Sequence, residues 1–137
     1  MALSFLLDTS VITRLARPEV RSVVEPLAAL GELGRPSITD LEVGYSARNA
    51  AEWDQLMGAL DAFETVDTTA AHLGRALQVQ RLLAARNQRG RKIPDLLVAA
   101  TAEERGAIVL HYDADFDLIA AVTGQRCQWV VPGGSIP

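Results

Sequence analysis

The sequence has little of what a disulfide, a structural zinc site or an aromatic binding surface requires. Cys127 is the only cysteine among 137 residues, and there are two histidines. These numbers exclude a disulfide within the chain and a structural zinc site, and they favour a reducing, cytoplasmic location. Aromatic residues make up 5% of the chain, too few for a surface on which nucleic-acid bases stack in succession.

Long apolar runs are also missing. No stretch approaches the roughly 18 apolar residues that a membrane-spanning helix needs. The apolar segment at residues 1–7 is short and has no basic residues before it, so it does not have the pattern of a secretory signal. We expect a protein that is neither exported by these signals nor embedded in a membrane.

The composition and its patterning predict one α/β domain over residues 1–137. Apolar residues make up 49% and charged residues 22% of the chain, typical of a compact protein. Apolar runs of strand type alternate with helical patterns, which predicts a parallel sheet covered by helices on both faces. The predicted strands are 3–7, 36–38, 63–67, 107–110 and 129–131. The main predicted helices are 20–30, 39–50, 51–62, 70–87, 94–105 and one ending near 122.

Acidic residues stand at the predicted element boundaries. They are Asp8, Glu42, Asp95 and the cluster Asp113, Asp115 and Asp117. Ligands of open α/β sheets bind beyond the carboxyl ends of the strands, where these side chains are expected to converge. Two carboxylates 4 Å apart repel by roughly 4 kcal/mol at an effective dielectric of about 20, so gathering them in one pocket is tolerable mainly when a divalent cation neutralises them. The sequence therefore predicts a Mg²⁺ or Mn²⁺ site for phosphate chemistry.

Each acidic residue also has a purely structural interpretation. Asp8 is a possible helix N-cap, and Glu42 stands three residues after Thr39 as in a capping box. Asp95 in the first turn of a helix is favoured by the helix dipole alone. Asp117 is expected in a helix, facing water. The triplet of aspartates is not a calcium loop, because Leu118 and Gly124 stand where the loop needs glycine and glutamate.

Four segments in order resemble the acidic motifs of PIN domains. They are residues 6–10, 38–42, 93–100 and 111–117, which read LLDTS, ITDLE, IPDLLVAA and HYDADFD. Nearly the whole chain is similar to VapC toxins of bacterial VapBC toxin–antitoxin pairs, of the kind abundant in mycobacteria and other actinobacteria. The resemblance implies a three-layer α/β/α domain with a five-stranded parallel sheet in the order 3-2-1-4-5.

The resemblance also implies a function. It implies an endoribonuclease that depends on Mg²⁺ or Mn²⁺, cuts tRNA or ribosomal RNA and inhibits translation as a toxin. It implies a VapB antitoxin that wraps the toxin and blocks its site, and a homodimer or a toxin–antitoxin hetero-oligomer.

Position by position, the resemblance assigns the acidic quartet to Asp8, Glu42, Asp95 and Asp113, and the site hydroxyl to Ser10. We expect Asp8, Asp95 and Asp113 to bind metal, with Glu42 and Asp113 acting through water or a second cation. Many relatives have Asn where this chain has Asp113, so either Asp113 or Asp115 faces the metal. The net charge of −4 disfavours nucleic acid as a partner, but a basic segment lies beside Asp95. Its members Arg86, Arg89, Arg91 and Lys92 are the expected RNA contacts, with Arg14 and Arg48 as weaker candidates.

Two other functions fit parts of the pattern. A phosphatase of the haloacid-dehalogenase type also has an Asp after its first strand, but it needs a second Asp where this chain has Ser10. A non-catalytic module could use the acidic site to grip a basic segment of a partner, beside an apolar groove on the helices at 20–30 and 70–85. Chelation separates this module from a nuclease, because partner binding should survive EDTA.

Overall fold

A computed structural model describes residues 3–88 and 92–137. Strands and helices alternate along the chain, as the apolar pattern predicts. The strands are β1 (Phe5–Leu7), β2 (Leu33–Pro36), β3 (Glu64–Val66), β4 (Ile108–His111) and β5 (Cys127–Trp129). The helices are α1 (Thr9–Ile12), α2 (Pro18–Ala29), α3 (Ser37–Tyr45), α4 (Ala50–Leu60), α5 (Ala70–Ala85), α6 (Ile93–Arg105) and α7 (Asp115–Thr123).

The strands form a parallel sheet in the order β3-β2-β1-β4-β5. β1 lies at its centre, where Leu6 pairs with Gly34 of β2 and with Val109 of β4. All carboxyl ends of a parallel sheet lie at one edge, so Asp8 after β1 and Tyr112 after β4 are neighbours. The expected sheet and strand order are confirmed.

Helices cover the sheet on both faces, because the central strands are apolar on both sides. Leu6 and Val109 pack in one core with α5, α6 and α7. Leu7 and Leu110, the next residues along the same strands, pack in a second core with α1 and α2. Alternate side chains of a strand point to opposite faces, so a continuous apolar run fills both cores.

The second strand lies earlier than predicted. We predicted 36–38, but β2 is Leu33–Pro36 and α3 begins directly after it at Ser37. Gly34 allows this position, because a Cβ there would lie 2.5 Å from Leu3 Cδ1 and 2.9 Å from Leu6 Cδ2. This glycine therefore lets β2 approach β1 closely. The fifth strand likewise lies two residues earlier than its predicted span of 129–131.

Two helix boundaries agree with the glycines in the sequence. Gly31, just after α2, and Gly106, the C-cap of α6, have φ values of 69° and 64°. Glycine adopts this left-handed conformation without the steric cost that a side chain brings. Within the described ranges, no helix combines the length and apolar character needed to span a membrane.

Candidate metal centre

Four acidic residues from distant parts of the chain meet at the carboxyl edge of the sheet. Asp8, Glu42, Asp95 and Asp113 line one cavity of about 250 Å³, which we call the acidic cavity. Its full lining is Asp8, Thr9, Ser10, Thr13, Arg14, Glu42, Lys92, Asp95, Tyr112 and Asp113. The four acidic residues that the sequence places at element boundaries therefore lie around one cavity, as expected.

Asp8 serves as a helix N-cap and also lines the cavity. Its Oδ2 accepts hydrogen bonds from the backbone N–H and the hydroxyl of Ser10, at 3.0 and 2.6 Å. Its Oδ1 is buried and has no hydrogen-bond partner among the described residues. Burial raises the pKa of Asp8, and the bonds from Ser10 oppose that rise. The prediction that Asp8 caps a helix is thus confirmed for Oδ2. Its Oδ1 takes no part in the cap and is available to a ligand.

Ser10 connects the ends of the two central strands. Its hydroxyl donates to Asp8 Oδ2 at 2.6 Å and accepts the backbone N–H of Tyr112 at 2.9 Å. The side chain therefore holds the carboxylate after β1 in a fixed position relative to the backbone after β4. In this arrangement the Ser10 proton is directed at Asp8.

Asp95 is a buried carboxyl group of the cavity whose pKa lies well above its ordinary value. It lies in the first turn of α6, after Pro94, with 2% of its surface exposed. Its Oδ2 lacks a hydrogen-bond partner in residues 3–88 and 92–137. Burial, followed by the charges of Asp8 and Asp113, raises the pKa of Asp95 to about 8. Without a cation, this group therefore holds a proton at neutral pH.

Glu42 reaches the cavity from the middle of α3 and is not part of a capping box. Helix α3 begins at Ser37, so Thr39 is not its N-cap. Thr39 is buried, and its hydroxyl donates to the carbonyl of Leu7 at 3.4 Å. The Thr9 hydroxyl donates to Glu42 Oε1 at 2.8 Å. Burial raises the pKa of Glu42, while the Thr9 bond opposes this rise.

Asp113 and Asp115 both lie near Asp95. One carboxylate oxygen from each of the three residues can be chosen so that all lie within 4.8 Å of one another. Asp113 Oδ1 accepts the backbone N–H of Asp115, and Oδ2 accepts from Lys92 Nζ at 2.7 Å. Burial acts to raise the pKa of Asp113, but the Lys92 and Asp115 contacts lower it overall. Asp117 is exposed and accepts from the Trp129 indole N–H, outside the cavity lining.

His111 supports this end of β4 from the core. It is fully buried between Phe116 and Trp129, with ring centroids 4.9 and 5.0 Å away. Its Nδ1 accepts the Asp113 backbone N–H at 3.1 Å. Burial lowers the pKa of His111 to about 4, so the ring is neutral at pH 7. His111 therefore packs at the end of β4 and does not line the acidic cavity.

The basic residues predicted to contact RNA occupy different places. Lys92 lines the acidic cavity, whereas Arg86 is an exposed C-cap of α5 and Arg48 pairs with Glu52 on α4. Arg89 and Arg91 lie outside the described residues. Arg14 also lines the cavity. Its guanidinium donates to the backbone oxygens of Ser10 and Pro137 and lies above the ring of Tyr112.

Sequence reasoning missed three lining residues, Thr9, Thr13 and Tyr112. Thr9 and Thr13 lie one helical turn apart, and Thr9 directly follows Asp8. Their closeness in the sequence to Asp8, a proposed metal ligand, was the feature that could have identified them. Tyr112 carried a similar signal, because it directly precedes Asp113. Its hydroxyl donates to the carbonyl of Ile136 at 2.6 Å, a contact that no local spacing indicates.

The donor set fits a hard divalent cation. Mg²⁺ and Mn²⁺ favour oxygen ligands, and the cavity offers carboxylates and hydroxyls without cysteine or a lining histidine. Asp8 Oδ1 and Asp95 Oδ2 are buried oxygens that the described protein leaves unsatisfied. Such atoms are costly without a partner, and a cation would supply one. Asp8, Asp95, Asp113 and Asp115 are the residues that could hold it.

Comparison with known proteins finds one family model and close relatives that are all named VapC ribonucleases. Residues 5–122 match the PIN domain family. The chain is 70% identical to Ribonuclease VapC51 of Mycobacterium tuberculosis over 136 residues, covering 99% of each chain. It is 44% identical to Ribonuclease VapC21 of the same species, covering 98% of this chain and 99% of the relative.

Solved structures share the fold at low sequence identity. A DNA-bound VapBC from Salmonella typhimurium superposes with a TM-score of 0.76 at 20% identity, covering 94% of this chain and 99% of that one. VapBC-5 of M. tuberculosis superposes with a TM-score of 0.62 at 24% identity, covering 94% and 98%.

Proposed function

The chain belongs to the PIN-domain family, and within it to the VapC ribonucleases. We propose that it is an endoribonuclease that hydrolyses RNA phosphodiester bonds with Mg²⁺ or Mn²⁺. We further propose that it is the toxin of a type II toxin–antitoxin pair and acts by inhibiting translation. The relatives named above are called ribonucleases, which supports the reaction class.

One observation carries the proposal. Four carboxylates from separate chain segments meet in one cavity, and two of their buried oxygens have no protein partner in the described ranges. Carboxylates that served only to cap helices would have no need to lie together in one cavity. The chemistry that a divalent cation supplies at such a site is activation of water and stabilisation of charge on the phosphoryl group.

The proposed roles of the side chains follow from their positions. Asp8, Asp95 and Asp113 would hold the cation, with Asp115 within reach of the last two. Ser10 would fix the orientation of Asp8, and Thr9 would fix that of Glu42. Glu42 lies at the cavity without direct bonding to the other carboxylates among the described contacts, so we assign it to positioning the attacking water.

The substrate would approach from the basic side of the cavity. Lys92 and Arg14 line it and can contact phosphate oxygens, while Arg86, Arg89 and Arg91 would extend the contact along the RNA backbone. We propose a structured RNA, tRNA or ribosomal RNA, as the substrate. Because water attacks in this reaction, the products should carry a 5′ phosphate.

We also propose a VapB-type antitoxin as partner and a homodimer or toxin–antitoxin hetero-oligomer as the assembly, acting in the cytoplasm. The support is the likeness to solved chains whose structures are described as VapBC complexes. In this proposal the antitoxin covers the acidic cavity and so prevents cleavage.

The proposal is tested with the purified chain and total RNA. With Mg²⁺ or Mn²⁺ we expect a small set of cut sites whose downstream fragments accept a linker that requires a 5′ phosphate, and EDTA should abolish them. Sequencing of these ends would identify the RNA. Cleavage that continues in EDTA, or products with 2′,3′-cyclic phosphate ends, would overturn the mechanism. Binding of a partner without cleavage under any metal condition would favour the non-catalytic module.

A further inference from the structure

Lys92 is the only lysine in the sequence, and the fold places it in the acidic cavity. Its ammonium Nζ lies 2.7 Å from Asp113 Oδ2, while 59% of its side chain remains exposed. The positive charge of Lys92 lowers the pKa of Asp8, Glu42, Asp95 and Asp113 alike. One ammonium group thus acts on every member of the quartet.

The contact with Lys92 occupies a carboxylate that a cation would need. Asp113 Oδ1 accepts the Asp115 backbone N–H, and Oδ2 accepts from Lys92. Both oxygens of Asp113 are therefore engaged when no cation is bound. A divalent cation that uses Asp113 must displace Lys92 or share the carboxylate with it.

Arg14, the other described basic residue of the cavity, is held differently. Two backbone oxygens and an aromatic ring hold its guanidinium. Within the described part of the chain, Lys92 donates one exposed hydrogen bond, to Asp113. Exposed ion pairs contribute little to stability, and the lysine stem is long and flexible. Lys92 can therefore leave Asp113 at small cost.

We propose that Lys92 is an exchangeable counter-ion of the acidic cavity: it neutralises Asp113 in the metal-free protein, competes with the divalent cation for that carboxylate, and moves to a substrate phosphate once the cation is bound. This inference rests on the proposed function for its cation site and for its last step. By thermodynamic linkage, an RNA phosphate that draws Lys92 away from Asp113 must strengthen cation binding. The same exchange limits cation binding when no RNA is present.

Cation affinity without RNA tests the competition. Mn²⁺ binding to the full chain is measured by the loss of the free-ion electron paramagnetic resonance signal. We expect Lys92→Gln to bind Mn²⁺ about tenfold more tightly than the wild type at low ionic strength, with a smaller difference in high salt. Lys92→Arg, which keeps the charge, should stay within about twofold of the wild type. Arg126→Gln removes an exposed positive charge just before β5, at the opposite edge of the sheet, and should also stay within about twofold.

A spectroscopic experiment follows Lys92 itself. Reductive methylation with ¹³C-formaldehyde preserves the charge and labels only this side chain and the terminal amine. Adding Mg²⁺ should move the Lys92 methyl signal toward that of a free dimethyl-lysine, whereas KCl at equal ionic strength should not. A signal that stays fixed while Mg²⁺ binds would overturn the exchange.

The outcomes distinguish the inference from the proposed function. Equal Mn²⁺ affinities for the wild type and Lys92→Gln would overturn the inference even if RNA is cleaved. Tighter binding by Lys92→Gln in a chain that cleaves no RNA would support the competition and overturn the proposed function. If neither protein binds Mn²⁺, both are overturned.

Discussion

The four carboxylates of the acidic cavity form two pairs that differ in how many of their oxygens accept hydrogen bonds from the protein. We call Asp8 and Asp95 the inner carboxylates, and Glu42 and Asp113 the outer carboxylates. The inner pair has 3% and 2% of its surface exposed, and each member keeps one buried oxygen without a described partner. The outer pair is partly exposed, and its members accept from Thr9 and Lys92 respectively.

The difference indicates where a cation is needed. An unsatisfied buried carboxylate is destabilising, so the inner pair is costly to the metal-free fold. Burial raises the pKa of both inner groups, and it raises that of Asp95 to about 8. The outer pair is already stabilised by a hydroxyl and an ammonium group. We therefore expect substitutions of the inner pair to have the larger effect on activity and to stabilise the metal-free fold.

The largest effect is expected when either inner carboxylate is neutralised. Substitution of a residue that supports a metal ligand costs about 10- to 100-fold, so Asp8→Asn and Asp95→Asn should each reduce RNA cleavage by more than about 100-fold. Their melting temperatures in EDTA should equal or exceed that of the wild type, because desolvation and repulsion are relieved. Cleavage assays and thermal unfolding measure both quantities.

Asp117→Asn is the matched control for the inner pair. It removes a carboxylate of α7 that is exposed and lies outside the cavity lining, and Asn can still accept from the Trp129 indole. Its activity should match that of the wild type. Full activity in Asp8→Asn or Asp95→Asn would reject the assignment of that residue as a metal ligand.

A smaller effect is expected for the outer carboxylate Glu42. Glu42→Gln keeps an acceptor for the Thr9 hydroxyl and removes the charge. We expect cleavage to fall about tenfold, as for a positioning residue, with the melting temperature within about 2 °C of the wild type. Glu52→Gln, which removes a carboxylate of α4 outside the cavity lining, is the control. Wild-type cleavage by Glu42→Gln would show that the Glu42 charge has no part in the reaction.

The sequence predicted best those features that depend on neighbouring residues. The apolar runs that contain Leu6 and Val109 identified the central strands, because strands buried on both faces are continuously apolar. The positions of Asp8 and Asp95 at the starts of helices were predicted from equally local signals. Asp8 follows the apolar run of β1, and Asp95 follows Pro94 in the first turn of α6. These signals are local and can be read without knowing the sheet order.

Contacts between distant residues could not be predicted in this way. The pairing of Lys92 with Asp113 spans 21 positions, and that of Ser10 with Tyr112 spans 102. The first follows from α6 packing against β4, and the second from β4 lying beside β1. The local pattern specifies neither. The start of α3 was misplaced because Thr39 and Glu42 have the spacing of a capping box, whereas Thr39 is buried and bonds the end of β1.

The pH dependence of stability tests the raised pKa of the inner carboxylate Asp95. Asp95 has a folded pKa of about 8 against an ordinary value of 3.8. Between these values the folded chain holds a proton that the unfolded chain has lost, so the free energy of unfolding falls as pH rises. His111 has the opposite effect between about 4 and 6.5, where only the unfolded chain is protonated at this residue. The two effects oppose each other below pH 6.5, and above it the Asp95 effect remains.

The smallest predicted effect is therefore a decrease in melting temperature above pH 6.5 when no metal is present. In EDTA we expect a decrease of about 3–6 °C between pH 6.5 and about pH 8.5, measured by circular dichroism. Asp95→Asn should lose most of this slope, because its side chain does not titrate, whereas Asp117→Asn should keep it. Added Mg²⁺ should raise the melting temperature more at the higher pH, since the cation binds the deprotonated form. A wild-type profile that is flat in EDTA, or an Asp95→Asn profile as steep as the wild type, would contradict the assignment of the raised pKa to Asp95.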